Sequence, residues 1–429
     1  MSSVRTDNGQ QGAGRSDDLW SVDYSAHPLL DPLFPSRQSR LLELMRATYR
    51  GISRDDLAYR QELARLHFPR YAGDADKASL MSLINRSRIF LREADIYLAS
   101  IIDLLPEPCR RPVMPLPEVT YCKDMRDLMH IAFRGASERQ RYEARRKLYL
   151  AQLLLQIEQS RSIQDGPRHL AIFEGLLDRE LWRFKRSEYS LDVGYRISSD
   201  GRSIRYTSRP TKDDQLWHFR SRFLEKPHNG RTVSLDILYY NCRFKRSVDR
   251  IGFEVVDGQH RVLEGERWAG MRQASSGSIL SKMVRKGINN PGEIDDLIGA
   301  MFIVNDTGAL SDLLLLLDSC VGTPFGWRNV TDTLAATPEG ATLNAYSSRE
   351  FKVYKGDMDI LTTDDVGEPP YRFPVEIQIL TLEGYLRTVC GKHEANHRAL
   401  KQRQFLFGLV PRVFPRRIYG TEWFEGVQA

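Results

Sequence analysis

The sequence has few cysteines, and they are too widely spaced to suggest a site. The five are Cys109, Cys122, Cys242, Cys320 and Cys390, and no two of them form a Cys-x-x-Cys pair. An odd number of isolated cysteines is typical neither of a disulfide framework nor of a zinc cluster. We therefore expect a protein of a reducing compartment, the cytoplasm.

The sequence also lacks the long apolar segments of membrane and secreted proteins. Its first residues, MSSVRTDNGQQGAGRSDD, contain no apolar core of a signal peptide, and its longest apolar run, residues 309–320, includes Asp312 and Asp318. A helix that spans a bilayer needs about 20 predominantly apolar residues. We therefore predict neither an export signal nor a membrane span.

The chain also has no large excess of charge of one sign. The formal net charge is +6 over 429 residues, which only weakly favours polyanionic partners. Hydrophobic residues make up 41% and charged residues 28% of the chain, so wholesale disorder is excluded. A chain this long exceeds the usual size of one core, and two or three domains are expected.

Periodicity and composition divide the chain into four predicted segments. Residues 1–37 are rich in Gly, Ser, Asp and Pro and predict a flexible leader. Residues 38–190 show helical spacing of apolar residues, and residues 191–263 show strand-like alternation. Strand and helix patterns then alternate over residues 264–429, which predicts an α/β domain with a mixed sheet. The fold class is therefore α+β: a helical N-terminal region, a β-rich middle segment and a C-terminal α/β domain.

Two stretches of the helical region carry predictions of their own. The Pro-rich run PEPCRRPVMPLPE, residues 106–118, predicts a connector between helices. The run ASERQRYEARRKLYLAQLLLQIEQ that follows is dense in charges of both signs. Such a pattern is typical of the solvated face of an amphipathic helix rather than of a nucleic-acid-binding surface.

Chemistry is indicated in the last segment, where charged residues accompany two predicted strands. Lys282 lies on a predicted basic helix, and Asp296 precedes the strand IGAMFIV. In PVEIQIL, Glu376 and Gln378 alternate with apolar residues and so share one face of a strand. Two carboxylates can hold magnesium against nucleotide phosphates while lysines neutralise the remaining charge. The pattern suggests nucleotidyl or pyrophosphoryl transfer, although charges that are merely solvated at strand ends produce the same pattern.

Five motifs in this segment resemble, in their order, those of the RelA/SpoT synthetase domain, which is nucleotidyltransferase-like. They are RQASSGSILSKMVRKG, EIDDLIGAMFIV, YSSREFKVY, PVEIQILT and GKHEANHRALK, within residues 265–405. The resemblance implies magnesium-dependent transfer of pyrophosphate from ATP to the ribose 3′-hydroxyl of a guanine nucleotide, giving the alarmones ppGpp and pppGpp. Because the family includes toxins that pyrophosphorylate tRNA, tRNA stays open as the acceptor.

The resemblance assigns the metal and the catalytic base to two acids. Asp296 and Glu376 would bind magnesium, and Glu376 would also help to activate the acceptor hydroxyl. Gln378 would position the substrate or support Glu376. Each of these roles is implied by the matching motif.

The other matching residues would contact the nucleotides. Those implied to bind the ATP triphosphate are Arg272, Ser278 and Lys282. Tyr346 would stack on the acceptor guanine. The basic residues of the family's last helix correspond to His393 or His397, together with Lys401.

The chain departs from the family pattern at four positions. The resemblance implies cations at Ala274, Met301 and Leu380 and a histidine at Glu350. Fewer cations leave a triphosphate less well neutralised, which weakens transition-state stabilisation. A catalytically degenerate nucleotide-binding or regulatory module is therefore a second hypothesis. Hydrolase motifs of the family's bifunctional members are not recognisable, and we predict no alarmone hydrolysis.

Overall fold

A computed structural model of the chain describes most of the sequence beyond the predicted leader. The described residues are 40–67, 78–198, 204–244, 252–256, 259–263, 277–288, 290–321, 327–334, 352–362, 370–389, 400 and 403–420. They form two compact units. A helical unit takes its described residues from the ranges 1–154, 284–287 and 403–429, and a second unit takes them from 155–283 and 288–402.

Helices make up the first unit and border the sheet of the second. In chain order they are α1 Arg40–Ile52, α2 Asp56–His67, α3 Leu80–Asp103, α4 Glu107–Val113, α5 Pro117–Thr120, α6 Met125–Arg134, α7 Glu138–Gln159, α8 Arg161–Gln164, α9 Gly166–Glu180, α10 Gly277–Lys286, α11 Thr307–Val321, α12 Leu382–Val389, α13 Val410–Val413 and α14 Arg416–Tyr419. Short 3₁₀ turns lie at Trp182–Phe184 and Pro291–Glu293, and a π-helical turn lies at Gln404–Leu409. No helix in the described part of the chain is both long enough and apolar enough to cross a membrane.

Most of the Pro-rich run at residues 106–118 is helical, so the prediction of a plain connector was wrong. It forms α4 and α5, and both have a proline within their first two positions. A proline there is well tolerated because its missing N–H would have no partner in the first helical turn. These prolines therefore begin helices.

The charged run on α7 is not a solvated face, which corrects a second prediction. Its buried charged residues, each less than a tenth exposed, are Glu143, Arg145, Arg146 and Lys147. The Lys147 ammonium donates to three backbone carbonyls, at 2.9–3.0 Å, and lies 2.8 Å from the Asp95 carboxylate. Burial of these charges is tolerated because carbonyls and acids replace the lost water.

Tyr419 of α14 connects two of these buried charges. Its hydroxyl donates to Glu143 Oε1 at 3.0 Å and accepts from the Arg146 guanidinium at 2.7 Å. Arg146 also donates to the Val413 carbonyl at 2.9 Å. Within the helical unit, α7 thus holds the C-terminal helices by hydrogen bonds to charged groups.

The second unit is built on one sheet of eight strands. The strands are β1 Lys185–Ile197, β2 Ile204–Thr207, β3 Gln215–His228, β4 Arg231–Phe244, β7 Ile298–Val304, β8 Trp327–Asp332, β9 Tyr354–Leu361 and β10 Arg372–Thr381, and a separate hairpin consists of β5 Gly252–Val256 and β6 Gln259–Leu263. Their spatial order is β2-β1-β3-β4-β7-β10-β9-β8. Only the β7–β10 pair is parallel among the described strands, so the sheet is mixed, as predicted.

The two faces of this sheet are covered by different helices. On one face Phe373, from β10, stacks on His169 of α9 with ring centroids 4.1 Å apart, and Lys226 of β3 donates to Ser319 of α11 at 2.8 Å. On the other face Leu386 of α12 packs in a cluster with Trp217, Phe219 and Ile303. Because α12 is short, it covers only part of its face.

The sheet spans the segment boundaries expected from sequence. Residue 190 falls inside β1, and strands from both sides of residue 263 lie in one sheet because β4 pairs with β7. The β-rich segment therefore borders the strand that follows Asp296. The division of the chain into the four predicted domains stays a prediction.

We predict that Tyr419→Phe destabilises the protein. Losing the hydroxyl removes one hydrogen bond each from buried Glu143 and Arg146, which should lower the free energy of unfolding by about 1–3 kcal/mol. Urea unfolding followed by circular dichroism measures the change. The matched control is Tyr121→Phe, whose side chain is 76% exposed, and it should shift the free energy by less than about 0.5 kcal/mol. Equal midpoints for the two variants would contradict the prediction.

Candidate active site

A row of five residues crosses the sheet on the face that α12 covers in part. Arg243 of β4 pairs with Gly299 of β7, Gly299 with Glu376 of β10, Glu376 with Asp357 of β9, and Asp357 with Arg328 of β8. Residues paired across neighbouring strands lie on the same face. We call these five residues the transverse row.

Glu376 is the most completely supported carboxylate of the row. It is 4% exposed, and Lys355 approaches its Oε2 at 2.5 Å while Gln378 donates to its Oε1 at 2.6 Å. Gln378 and Lys355 pair with each other in the next row of the same face. Both oxygens of this buried acid therefore have a donor, which offsets part of the free-energy cost of burying the carboxylate.

Asp296 lies just before β7 and pairs with a lysine of α10. The Lys282 ammonium hydrogen-bonds to the Asp296 carboxylate, and both side chains are less than a fifth exposed. Gly287 follows α10 with a φ of 68°, a left-handed conformation that ends helices at low cost for glycine. A 3₁₀ turn at Pro291–Glu293 then leads the chain toward Asp296.

Asp357 is an acid that the sequence analysis missed. It is 4% exposed and accepts from Asn329 Nδ2 at 2.7 Å, with Asn329 at a φ of 51° that asparagine tolerates well. Burial raises the pKa of Asp357, and the charges of Glu376 and Asp295 raise it further, whereas Asn329 and Lys355 lower it. Its sequence signal was the alternation of acids and apolar residues in KGDMDIL, the pattern that marks Glu376 in PVEIQIL.

Arg328 ends the row next to Asp357. Its guanidinium lies 2.7 Å from the carboxylate of Asp359, which is on the same face of β9. The hydrogen bond to Asp359 raises the pKa of Arg328, and the charges of Asp359, Asp295 and Asp357 act in the same direction. This cation is therefore already matched by neighbouring acids.

The structure describes only some of the residues implied by the resemblance. It brings Lys282 to Asp296 and Gln378 to Glu376, and it places Ser278 on α10. The predicted residues outside the described ranges are Arg272, Tyr346, His393, His397 and Lys401, together with the departures Ala274 and Glu350. Of the other departures, Met301 pairs with Gln378, and Leu380 is 3% exposed. The roles of all these residues stay predictions.

Asp296 and Glu376 are the two carboxylates that the resemblance assigns to magnesium. Within the described ranges, no group of three or more His, Cys, Asp or Glu residues is arranged to hold a metal. Magnesium is commonly held by one or two carboxylates with phosphate and water oxygens, and Asp296 and Glu376 fit that donor set. Because each of them also pairs with a lysine, magnesium would compete with Lys282 and Lys355.

We predict that Asp357→Asn stabilises the protein at neutral pH. The pKa of Asp357 is raised above its ordinary 3.8, so the folded protein binds this proton more tightly than the unfolded chain does, and stability is lost as the pH rises through the folded pKa. The amide abolishes this loss. The gain over the parent protein should be present at neutral pH and disappear as the pH falls below 3.8.

Urea unfolding across that pH range measures the gain. The matched control is Asp359→Asn on the same face of β9, which removes the partner of Arg328 and should give no gain at neutral pH. A parent protein as stable as Asp357→Asn at every pH would contradict the prediction.

Comparisons with known proteins give partial similarities. No family model and no curated protein matches the chain. Similar solved structures include small alarmone synthetase 1 from Bacillus subtilis bound to its product pppGpp (16% identity, 36% of this chain and 59% of that chain, TM-score 0.22), the same synthetase in a second structure (16%, 40% and 74%, 0.23) and a GTP pyrophosphokinase family protein from Streptococcus pneumoniae (16%, 35% and 68%, 0.21). The chain thus spans about three fifths of the first structure's length. With TM-scores this low, neither a family nor a reaction is assigned from these matches.

Proposed function

We propose that the protein transfers pyrophosphate from ATP to the ribose 3′-hydroxyl of a guanine nucleotide, with magnesium. The observation that carries the proposal is the arrangement around Glu376: a buried carboxylate with two donors, in a row of charged residues, beside the strand that Asp296 precedes. The motifs around Lys282, Asp296 and Glu376 favour the same reaction through their resemblance to the RelA/SpoT synthetase domain.

At phosphorus, the proposed step breaks one bond and forms one, and a proton passes from the acceptor hydroxyl to Glu376. The acceptor 3′-oxygen attacks the β-phosphorus of ATP, the bond from that phosphorus to the α,β-bridging oxygen breaks, and AMP leaves. Glu376 accepts the hydroxyl proton, and Gln378 holds the Glu376 carboxylate in place. Asp296 and Glu376 would hold magnesium, which neutralises phosphate charge when bound.

Two lysines have a dual role in this proposal. Lys282 and Lys355 neutralise Asp296 and Glu376 in the protein, and both ammonium groups suit phosphate oxygens equally well. Asp296 and Glu376 would be the residues that hold magnesium, and Lys282 and Lys355 would then be available to bind phosphate oxygens of the nucleotides.

A nucleotide-binding module without transfer activity is the second candidate. Met301 lies on the same face as Gln378, and Leu380 is buried, where the resemblance implies cations. Apolar side chains there cannot stabilise the charge that develops on a transferring group. Such a module would bind nucleotides and release them unchanged.

We expect Glu376→Gln to lower transfer by about 100-fold or more, because the amide cannot accept the proton. Purified protein is incubated with magnesium and ATP labelled in the γ-phosphate, and GDP, GTP, ADP and deacylated tRNA are offered separately. Label should appear on GDP or GTP. Transfer to tRNA or ADP alone would keep the chemistry and correct the acceptor.

The matched control is Glu383→Gln on α12, an exposed acid paired with Arg387. It should retain parental activity, and circular dichroism should show both variants folded. Full transfer by Glu376→Gln would refute the assigned base. Nucleotide binding by the parent protein without transfer to any acceptor would establish the second candidate in place of the first.

A further inference from the structure

Arg243 occupies the end of the transverse row opposite Arg328. It is an exposed residue next to the end of β4, and its register partner is Gly299. Glu376 pairs with Gly299 from the other side. Arg243 and Glu376 therefore flank the same glycine on the same face of the sheet.

Gly299 leaves the space between Arg243 and Glu376 without a side chain of its own. Neighbouring strands lie about 4.8 Å apart, so each of the two residues is one strand away from this position. A group bound above Gly299 would meet a guanidinium on one side and a carboxylate on the other. A phosphate suits such a position, because arginine binds its oxygens in a bidentate manner.

The charge balance of the site sets Arg243 apart from the other cations. Lys282 pairs with Asp296, Lys355 with Glu376, and Arg328 with Asp359. The Arg243 guanidinium, by contrast, takes part in none of the ion pairs found among the described residues. A polyphosphate brings negative charge in excess of these matched pairs, and Arg243 supplies positive charge to offset it. Strand β7, which pairs with β4 next to Arg243, has the sequence IGAMFIV and carries no charged residue, so none of its side chains can form an ion pair with Arg243.

We propose that Arg243 binds a phosphate group of the substrate above Gly299. This inference rests on the proposed function for the identity of the substrate, while its geometry requires only a phosphate. Arg243 lies outside residues 265–405, the segment that resembles the synthetase domain. The β-rich segment thereby contributes a substrate-binding residue through β4 and is part of the site.

The test compares three variants. Arg243→Gln removes the charge, Arg243→Lys keeps it without the bidentate geometry, and the matched control Arg205→Gln removes an exposed arginine of strand β2, at the far edge of the same sheet. Each is assayed for pyrophosphate transfer and, separately, for binding of inorganic pyrophosphate by calorimetry. Thermal unfolding establishes that all three are folded.

We expect Arg243→Gln to lower kcat/KM about tenfold or more, mainly through a higher KM, and to weaken pyrophosphate binding by a similar factor. Arg243→Lys should recover part of both, and Arg205→Gln should match the parent protein. Loss of charge-assisted binding should also reduce the sensitivity of pyrophosphate affinity to salt in Arg243→Gln.

The outcomes separate this inference from the proposed function. Active protein whose KM and pyrophosphate affinity are unchanged in Arg243→Gln would overturn the inference and leave the function standing. Inactive parent protein that binds pyrophosphate through Arg243 would overturn the function and support the inference. Parent protein that does not bind pyrophosphate, or that binds it equally well in all variants, would refute the phosphate role of Arg243.

Discussion

The parallel pairing of β7 with β10 is the constraint on which the site depends. In the observed register Glu376 lies beside Gly299, and Val375, Ile377 and Ile379 are fully buried on the opposite face. A shift by one residue would exchange the two faces of β10 and bury Glu376 against helices α9 and α11 without its donors. The cost of burying an unpaired carboxylate excludes that register, so the apolar set of β10 also positions its acid.

Two neighbouring acids of the transverse row repel each other, and hydrogen-bond donors around them offset this repulsion. Asp357 and Glu376 are both 4% exposed and pair directly across neighbouring strands, where two negative charges repel each other. Lys355 and Asn329 each donate to one of these acids, and Gln378 donates to Glu376. A fold selected only for stability would place apolar residues at these positions. Buried charged groups with shifted pKa values cluster at functional sites, and Asp357 beside Glu376 is such a group.

In the helical unit, too, buried charged groups are stabilised by hydrogen-bond partners. The charges of α7 are buried, yet backbone carbonyls, Tyr419 and neighbouring acids provide their hydrogen bonds. Periodicity predicted the helix, but the identity of the solvated face depends on which elements pack against it. Similarly, residues 106–118 were predicted to form a connector, whereas Pro108 and Pro117 lie in the first turns of α4 and α5, where proline is compatible with a helix.

Local pattern predicted most helices and strands, though not the helices of the Pro-rich run. It also placed Glu376 and Gln378 on one face of a strand, because the two-residue repeat of a strand is a property of the backbone itself. It also marked Lys282 and Asp296 as a cation and an acid near one strand. Tertiary structure alone decided that β4 borders β7, that Asp357 lies beside Glu376, and that Arg243 and Glu376 flank Gly299. Which distant strands become neighbours is set by packing of the whole sheet, whereas the alternation within one strand fixes only which of its faces is buried.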